Sequence, residues 1–425
     1  TGGDLFGDLT GGSQQGDSSP LDSLLGGTED SAPDTGTTAG AELDTSMFRA
    51  HEPDRTVSPY AREKYTQLAG DGSDTVTVMV YICATDLESK AGMATADLNE
   101  MLKATLDDER VNLIVETGGA TQWRNNTIPS NKNMIYRITS GGLETLVSNV
   151  GKRSMVEPDT LGAFIKFCAK NFPADRNILI LWDHGGGSIT GYGYDELYPN
   201  ATMTLDEIDQ ALSSGGTKFD CIGFDACLMA TLETAVVAER HADYLLASEA
   251  VEPGTGWYYT NFLSRLSADP AMSTVDLGKI VADDFVAASQ KAAPKTPATL
   301  SLIDLAELSG TLPDTLGAFS SSTAQLIDAN GYATVSGARG QARDFSTSVN
   351  INQIDLIHFA ENLDTDEGSA LVDALRGAVK YNRSSQNITH ANGVSIYFPS
   401  GRVSGVNTAL NTYQKIGMDD AYTDC

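Results

Sequence analysis

The chain has 425 residues, 41% of them apolar, enough to bury a sizeable core and to build either two or three domains or one long α/β sheet with insertions. Its 57 acidic residues outnumber 28 basic ones, and the formal net charge of -29 disfavours nucleic acid and anionic membrane surfaces while drawing in basic ligands. No apolar run reaches the roughly 18 residues a membrane-spanning helix needs, and the five cysteines show neither CxxC pairs nor Cys/His zinc spacing.

Residues 1–74 are rich in Gly, Ser, Thr and Asp, a composition that cannot bury enough surface to offset chain entropy. This stretch reads as a disordered or loosely docked leader, either a plain linker or a prosegment. Its opening, TGGDLFGDLTGG, lacks the apolar core of a secretory signal. Its basic residues come late: Arg49, Arg55, Arg62 and Lys64. The folded part starts at Thr75, where the β-branched run TVTVMVYICA predicts a first strand. Asp86 or Ser89 is a candidate cap for the helix that follows, with Met93, Leu98, Met101 and Leu102 on its apolar face. Val111 to Val115 predicts a second strand, and Met134 to Ile138 with Leu143 to Val147 a hairpin around Gly141-Gly142. Pro158-Asp159 introduces a helix through about Asn171.

The next two strands carry the chemistry. Asn177 to Asp183 is a short apolar run that ends in His184-Gly185-Gly186-Gly187, a histidine on a backbone able to approach a ligand closely. A mobile Gly- and Tyr-containing loop to Thr204 and a helix near Leu205 to Leu212 follow. Then Phe219 to Thr231, FDCIGFDACLMAT, begins as a buried strand, and from Leu228 apolar residues recur at helical spacing. Cys227 is thereby expected at a strand end and a helix start, where the helix dipole favours the thiolate. Taken alone, Cys227 reads equally well as an inert buried thiol. Paired with His184 at the end of the preceding strand, it reads as a thiolate beside its general base, because consecutive parallel strands tend to be neighbours.

Tyr244 to Ser248 predicts another strand, and Glu249 to Tyr259 a loop on the cleft rim, where Trp257 either grips a ligand or packs inward. Further on come a helix from Leu277 to Ala292, a strand from Leu300 to Ile303, helical sequence from Asp304 to about Asp328, and an amphipathic stretch from Gln353 to Leu363 in which His358 reads as structural. Leu371 to Val379 is helical and Gly393 to Phe398 a late strand. The fold class expected is α/β: a mostly parallel β-sheet with helices on both faces. Residues 75–303 form the core, and 304–425 pack on it and complete the same sheet.

A Cys/His pair so placed suits acyl transfer, with the backbone N–H groups of Gly185 and Cys227 as candidate oxyanion donors. Asp183 points away from His184 by strand parity. Asp225 shares a side with Cys227. As a carboxylate beside a thiolate it opposes that charge, so it suits either the floor of a pocket for a cationic side chain or a cap on the Cys227 helix. Glu249 or Glu252 is a candidate second acidic wall.

DHGGG after one strand and FDAC at the end of the next resemble the clostripain-type cysteine peptidases, within the caspase-like group that includes legumains and gingipains. Val78 to Met101 (VMVYICATDLESKAGMATADLNEM), Ala247 to Tyr259 (ASEAVEPGTGWYY) and Asn392 to Pro399 (NGVSIYFP) extend the resemblance over roughly Thr75 to Gly417. It implies a cysteine endopeptidase with a caspase-like fold, a His184–Cys227 dyad, Asp225 as the residue selecting Arg or Lys before the scissile bond, and a secreted or cell-surface bacterial protein. It implies no cofactor for the chemistry; some relatives use calcium, but no EF-hand-type loop is present and no ligands are assigned. The expected partners are proteins or peptides with basic residues, met by a monomer.

Two other classes compete: a non-catalytic protein whose acidic cleft holds basic peptides, and a thiol redox protein using Cys221 and Cys227, which lacks CxxC spacing. The chain also departs from its relatives. Those are often cut at a basic residue between the His and Cys motifs, whereas residues 177–217 contain no Lys or Arg, and Lys218 abuts the central strand. The leader is therefore expected to be a self-cleaved prosegment covering the cleft, with one of Arg49, Arg55, Arg62 or Lys64 near Asp225. Cys425, at the terminus, has no assigned role.

Overall fold

A computed structural model describes residues 48–50, 52–199, 201–345, 351–399 and 405–424, with the backbone alone at 48–50. Its strands are β1 (Phe48–Ala50), β2 (Val76–Cys83), β3 (Val111–Gly118), β4 (Asn133–Thr139), β5 (Gly142–Gly151), β6 (Arg176–Trp182), β7 (Phe219–Asp225), β8 (Ala242–Ala247), β9 (Thr299–Asp304), β10 (Gln353–Asp355), β11 (Val379–Ser385) and β12 (Ser395–Tyr397). Ten of them form one sheet in the order β1-β11-β9-β8-β7-β6-β2-β3-β4-β5. The run β8-β7-β6-β2-β3 is parallel, and the flanking strands are antiparallel.

The parallel strands read as unbroken apolar runs because both of their faces are covered. Met79, Tyr81, Leu179, Leu181, Ile222 and Phe224 face a core built with the helices Pro158–Asn171, Leu205–Gly215, Leu232–Ala238 and Leu305–Leu326. The alternate residues Val78, Val80, Ile178, Ile180, Trp182 and Cys221 face the other core, under Met93–Lys103, Tyr259–Ala268 and Thr274–Ala292. The expected mostly parallel sheet with helices on both faces is therefore the architecture found, and β9 and β11 extend it.

Several local expectations need correction. β11 reads VKYNRSS, and its polarity hides it from a hydrophobic pattern. It is buried in the sheet because its charges find partners: Lys380 Nζ lies 2.7 Å from a Glu307 carboxylate oxygen and Arg383 Nε 3.2 Å from Asp283. The late strand shortens to β12 and pairs with β10, in a small sheet apart from the main one. Gln353 to Leu363 is accordingly a strand and then a helix, Leu356–Leu363, capped where Asp355 accepts the His358 N–H at 2.7 Å. His358 Nδ1 accepts the Arg343 N–H at 3.0 Å, a structural bond. The loop after His184 is not a free flap: Tyr192 is buried, and its hydroxyl donates to the carbonyls of Trp182 (3.0 Å) and Tyr81 (3.2 Å), tying the loop to two strand ends.

The leader also differs from expectation. Residues 52–74 form a strap across the amino ends of the parallel strands. Arg62 donates to the fully buried Asp243 at 2.9 Å and to the carbonyls of Glu239 and Ala242. The N–H groups of Tyr65 and Thr66 complete the Asp243 carboxylate at 2.9 and 2.8 Å. Lys64 pairs with Asp304 at 2.9 Å and Arg55 with Asp276. Asp243 is the second residue of β8, so these contacts lie at the end of the sheet opposite Trp182 and Asp225. Arg55, Arg62 and Lys64 therefore do not approach Asp225. Two expectations, on the Arg49 side chain and on Cys425, lie outside the described residues.

Arg62→Ala is expected to destabilise the protein by about 1–3 kcal/mol, since it strips a charge-assisted partner from a buried carboxylate that keeps two N–H donors. Arg55→Ala, at a largely exposed pair, should change stability by no more than about 0.5 kcal/mol. Urea unfolding of both variants checks the contrast.

Candidate active site

Strand register gives His184 and Cys227 matching positions on adjacent strands. β6 and β7 run parallel with Trp182 opposite Asp225, and the Asp183 N–H extends the ladder to the Asp225 carbonyl at 3.3 Å. His184 and Cys227 each stand two residues beyond that matched pair, on strands roughly 4.8 Å apart. The chain after His184 then folds onto Cys227 itself. A Cβ at Gly185 would overlap the Cys227 carbonyl oxygen, so only glycine permits this contact. Gly185 also sits opposite Tyr192 in a bridge whose hydrogen bonds run through Gly186 and Gly193, so the bridge does not use the Gly185 N–H.

Cys227 is not at a helix start. Leu228 turns with φ 65°, and Thr231 caps a helix that begins at Leu232 by accepting the Thr234 N–H. The sequence signal for this was the Thr-x-x-Thr cap at 231–234, overlooked in favour of apolar spacing. The turn is held from behind: the Leu228 N–H donates to the Ala250 carbonyl at 3.0 Å, and Gln353 Nε2 donates to the Leu228 carbonyl at 3.0 Å, the Glu249 carbonyl at 3.2 Å and Ser395 at 2.8 Å. A left-handed leucine costs on the order of 1–3 kcal/mol and persists only where its surroundings fix it.

With no helix dipole behind it, the thiol is not activated at rest. Cys227 Sγ accepts the Glu252 N–H at 3.2 Å and lies 3.9 Å from the Glu252 carbonyl. Burial first, then the Glu252 and Asp225 carboxyls, push its pKa up to about 12. His184 is half-buried, and its Nε2 stands 2.9 Å from Asp86 Oδ1. Burial disfavours the imidazolium, but Asp86 and then Asp183 more than offset it, and the His184 pKa is raised. Asp183 is turned away as expected, accepting the Tyr194 N–H at 2.7 Å. The Asp86 contact was not anticipated, because its position after a strand read as a helix cap.

Asp225 is buried and caps no helix. It accepts from the Tyr259 hydroxyl at 2.8 Å and the Trp257 N–H at 3.3 Å. Burial raises its pKa to about 6. Asp97 carries no sequence signal of its own; it lies on the buried face of the helix Met93–Lys103, accepts from Trp182 Nε1 at 2.6 Å and faces Asp225 past Gly256. Burial and the Asp225 charge raise the pKa of Asp97 well above the usual range. Asp97 and Glu100 line a cavity of about 300 Å³ closed by Met93 and Gly254 to Tyr258, with Asp225 behind it. Glu252 is beside Asp225 and hydrogen-bonded to it, whereas Glu249 is directed elsewhere, accepting the Gly393 N–H at 2.7 Å. Trp257 is buried against Gly223, so it packs inward. Cys221 is buried on the Trp257 face of the sheet, four residues before Asp225 and away from the strand end, and burial raises its thiol pKa. Among the described residues no group of three or more His, Cys, Asp or Glu is placed to hold a metal ion, and no helix is long and apolar enough to cross a membrane.

A model of the clostripain family matches residues 80–400. Clostripain of Hathewaya histolytica is 25% identical over 237 residues, 47% of this chain; the match spans 44% of that protein's length. Among solved structures, a secreted C11 cysteine protease from Bacteroides thetaiotaomicron in complex with an irreversible peptide inhibitor superposes with a TM-score of 0.61 at 19% identity, covering 81% of this chain and 100% of that one. An inactive zymogen C11 protease from Parabacteroides distasonis gives a TM-score of 0.61 at 18% identity, over 81% and 98% of the two chains. These likenesses are of fold.

Gly185→Ala is expected to cost about 1–3 kcal/mol, the range for forced overpacking, since backbone rather than a flexible side chain must yield. Gly337→Ala, in the helix Tyr332–Gln341 with open space around it, should instead be neutral or stabilising by up to about 1 kcal/mol. Denaturant titration of the two variants checks this.

Proposed function

The chain belongs to the clostripain family of cysteine peptidases, and on that premise we propose that it is a secreted endopeptidase hydrolysing bonds after Arg or Lys through a His184–Cys227 dyad. The observation that carries this reading is the register of β6 and β7, which sets the two residues at equal height on adjacent strand ends. In the resting site the thiol is protonated, so His184 acts as general base. It takes the Sγ proton as Sγ bonds to the scissile carbonyl carbon. The oxyanion is received by the Gly185 and Cys227 N–H groups. The C–N bond then breaks, and the imidazolium gives its proton to the leaving amine. Water, deprotonated by His184, releases the acyl group from sulfur as a carboxylate.

The acidic cavity supports the basic preference. A long cationic side chain entering it meets Asp97 and Glu100 at the wall and Asp225 behind. The alternative of a non-catalytic basic-peptide binder shares this cavity and differs in the fate of the peptide. Cys227→Ala and His184→Ala should each abolish hydrolysis with the fold retained, and the double variant should look like either one. Turnover by purified Cys227→Ala would end the mechanism. Asp225→Asn should raise KM for Arg and Lys peptides about ten- to hundredfold, the range of a lost charge-assisted contact. In the native protein, KM for these peptides should fall as pH rises through about 6, where Asp225 becomes the carboxylate a cation needs.

The protein is made as a zymogen in this reading. Residues 1–48 contain no Lys or Arg, and Arg55, Arg62 and Lys64 are fastened at the far end of the sheet. Arg49 is the remaining basic residue ahead of β2. It lies in the short edge strand β1, opposite Ser384, at the end of the sheet where Cys227 stands. Incubation should yield a new N-terminus at Ala50 in the active protein and none in Cys227→Ala. A terminus after Arg62 or Lys64, or a cut between His184 and Cys227, would contradict this.

A further inference from the structure

We propose that Asp86 is a positioning residue of the catalytic assembly, holding the His184 ring through Nε2 and committing Nδ1 to proton exchange with Cys227. This rests on the His184–Cys227 reading and adds a third member to it. The placement begins in the sheet. β2 is the neighbour of β6 on the side away from β7, with Ile82 opposite Trp182. The carboxyl end of β2 therefore flanks His184 on one side while Cys227 flanks it on the other. Just past β2 the backbone makes an unusual move: Thr85 adopts φ 46°, a conformation that β-branched residues almost never take. That turn starts the short helix Thr85–Ser89 and points Asp86 back toward β6 instead of capping a helix. Strain of this kind persists where surrounding contacts impose it and clusters at functional sites.

The two Asp86 oxygens have separate tasks. Oδ1 lies 2.9 Å from His184 Nε2, and Oδ2 accepts from Lys90 Nζ at 3.1 Å. The side chain is buried, and burial works against its charge. The bonds to His184 and Lys90 nonetheless hold its carboxyl down to about 2, so it is ionised throughout the working range. An ionised carboxylate can only accept, so Nε2 must carry the proton, and the neutral ring presents Nδ1 as the acceptor. When Nδ1 takes the thiol proton, the imidazolium forms against a fixed negative charge. The charged groups around His184 are Asp86 and Asp183, which favour the imidazolium, and Lys90, which opposes it.

The test is the pH dependence of kcat. At saturating basic peptide the bound cation keeps Asp225 ionised, so the acid limb of kcat reports His184. Asp86→Asn removes the carboxylate, lowers the imidazolium pKa, and should shift that limb to lower pH. The plateau of kcat should fall at least about tenfold, with KM changed by no more than about twofold, because an amide can hold the wrong tautomer. Lys90→Ala removes the opposing cation and should shift the limb to higher pH. Thermal unfolding and titration of Cys227 with a peptidyl electrophile establish that each variant is folded with an intact site. An unmoved limb in Asp86→Asn overturns the proposal, whether kcat is kept or lost, since loss without a shift marks a merely structural role. Should Asp86→Asn fail to fold, Lys90→Ala decides: an upward shift supports the proposal and no shift overturns it. Hydrolysis surviving in His184→Ala would instead defeat the dyad itself. Inactive His184→Ala together with an unmoved Asp86→Asn limb would defeat this inference alone.

Discussion

The parallel pairing of β6 with β7 is the constraint on which the rest of the site depends. Backbone hydrogen bonds fix Trp182 opposite Asp225, and every side chain beyond that pair inherits its height and its face. Slipping the register by one residue would turn one of the two functional side chains to the wrong face of the sheet. The chain leaves both strands by unusual turns. After His184 it leaves on glycines, one of which lies against the Cys227 carbonyl. After Cys227 it leaves through a left-handed leucine whose carbonyl is held by Gln353, from the C-terminal part of the chain. Gln353, from the C-terminal third, is thus a structural support for that turn.

Charge in the cleft sets up a tension. Asp97, Asp225 and Glu252 are buried, and burial pushes each toward its neutral form; the Asp225 charge adds to this at Asp97 and Glu252. Burial first, then the Glu252 and Asp225 carboxyls, raise the Cys227 thiol. In the proposed reading, carboxyls that serve a cationic side chain therefore also suppress the nucleophile. In the proposed mechanism a substrate cation relieves both effects at once: it keeps the carboxylates charged and offsets their field at sulfur. Binding of the correct side chain then favours thiol ionisation, which links selectivity to reactivity. Asp86 acts on the other partner, since it favours the proton on His184 without adding to the charge beside the thiol.

The opposite end of the sheet has a different task. There the strap of residues 52–74 satisfies buried carboxylates on β8 and β9 with Arg62, Lys64 and backbone N–H groups. The ion pairs are partly shielded and the acceptors fully buried, so the strap is part of the folded body. The strap contacts and the His184 and Cys227 positions are thereby separated by the length of the strands.

Much of this was legible in the chain itself. Apolar runs of strand length between helical stretches specify a two-faced parallel sheet, because only strands covered on both sides stay apolar at every position. The placement of His184 and Cys227 at successive strand ends, the hairpin around Gly141-Gly142, and the inward turn of Asp183 follow from local pattern and parity. What local pattern missed depended on partners distant in sequence. β11 is polar and still buried, because Glu307 and Asp283 pair with its charges. The strap has a disordered composition but is ordered, because Asp243 and Asp304 wait for its cations. Asp86 reads as a cap until β2 is set beside β6, and Asp97 carries no signal until the helix Met93–Lys103 is packed on the sheet. Periodicity along one chain is enough to specify the sheet, its two cores and the ends at which the His and Cys stand. Which carboxylates surround them is a matter of packing, because a charge is placed by the groups that compensate it, and those come from elsewhere in the fold.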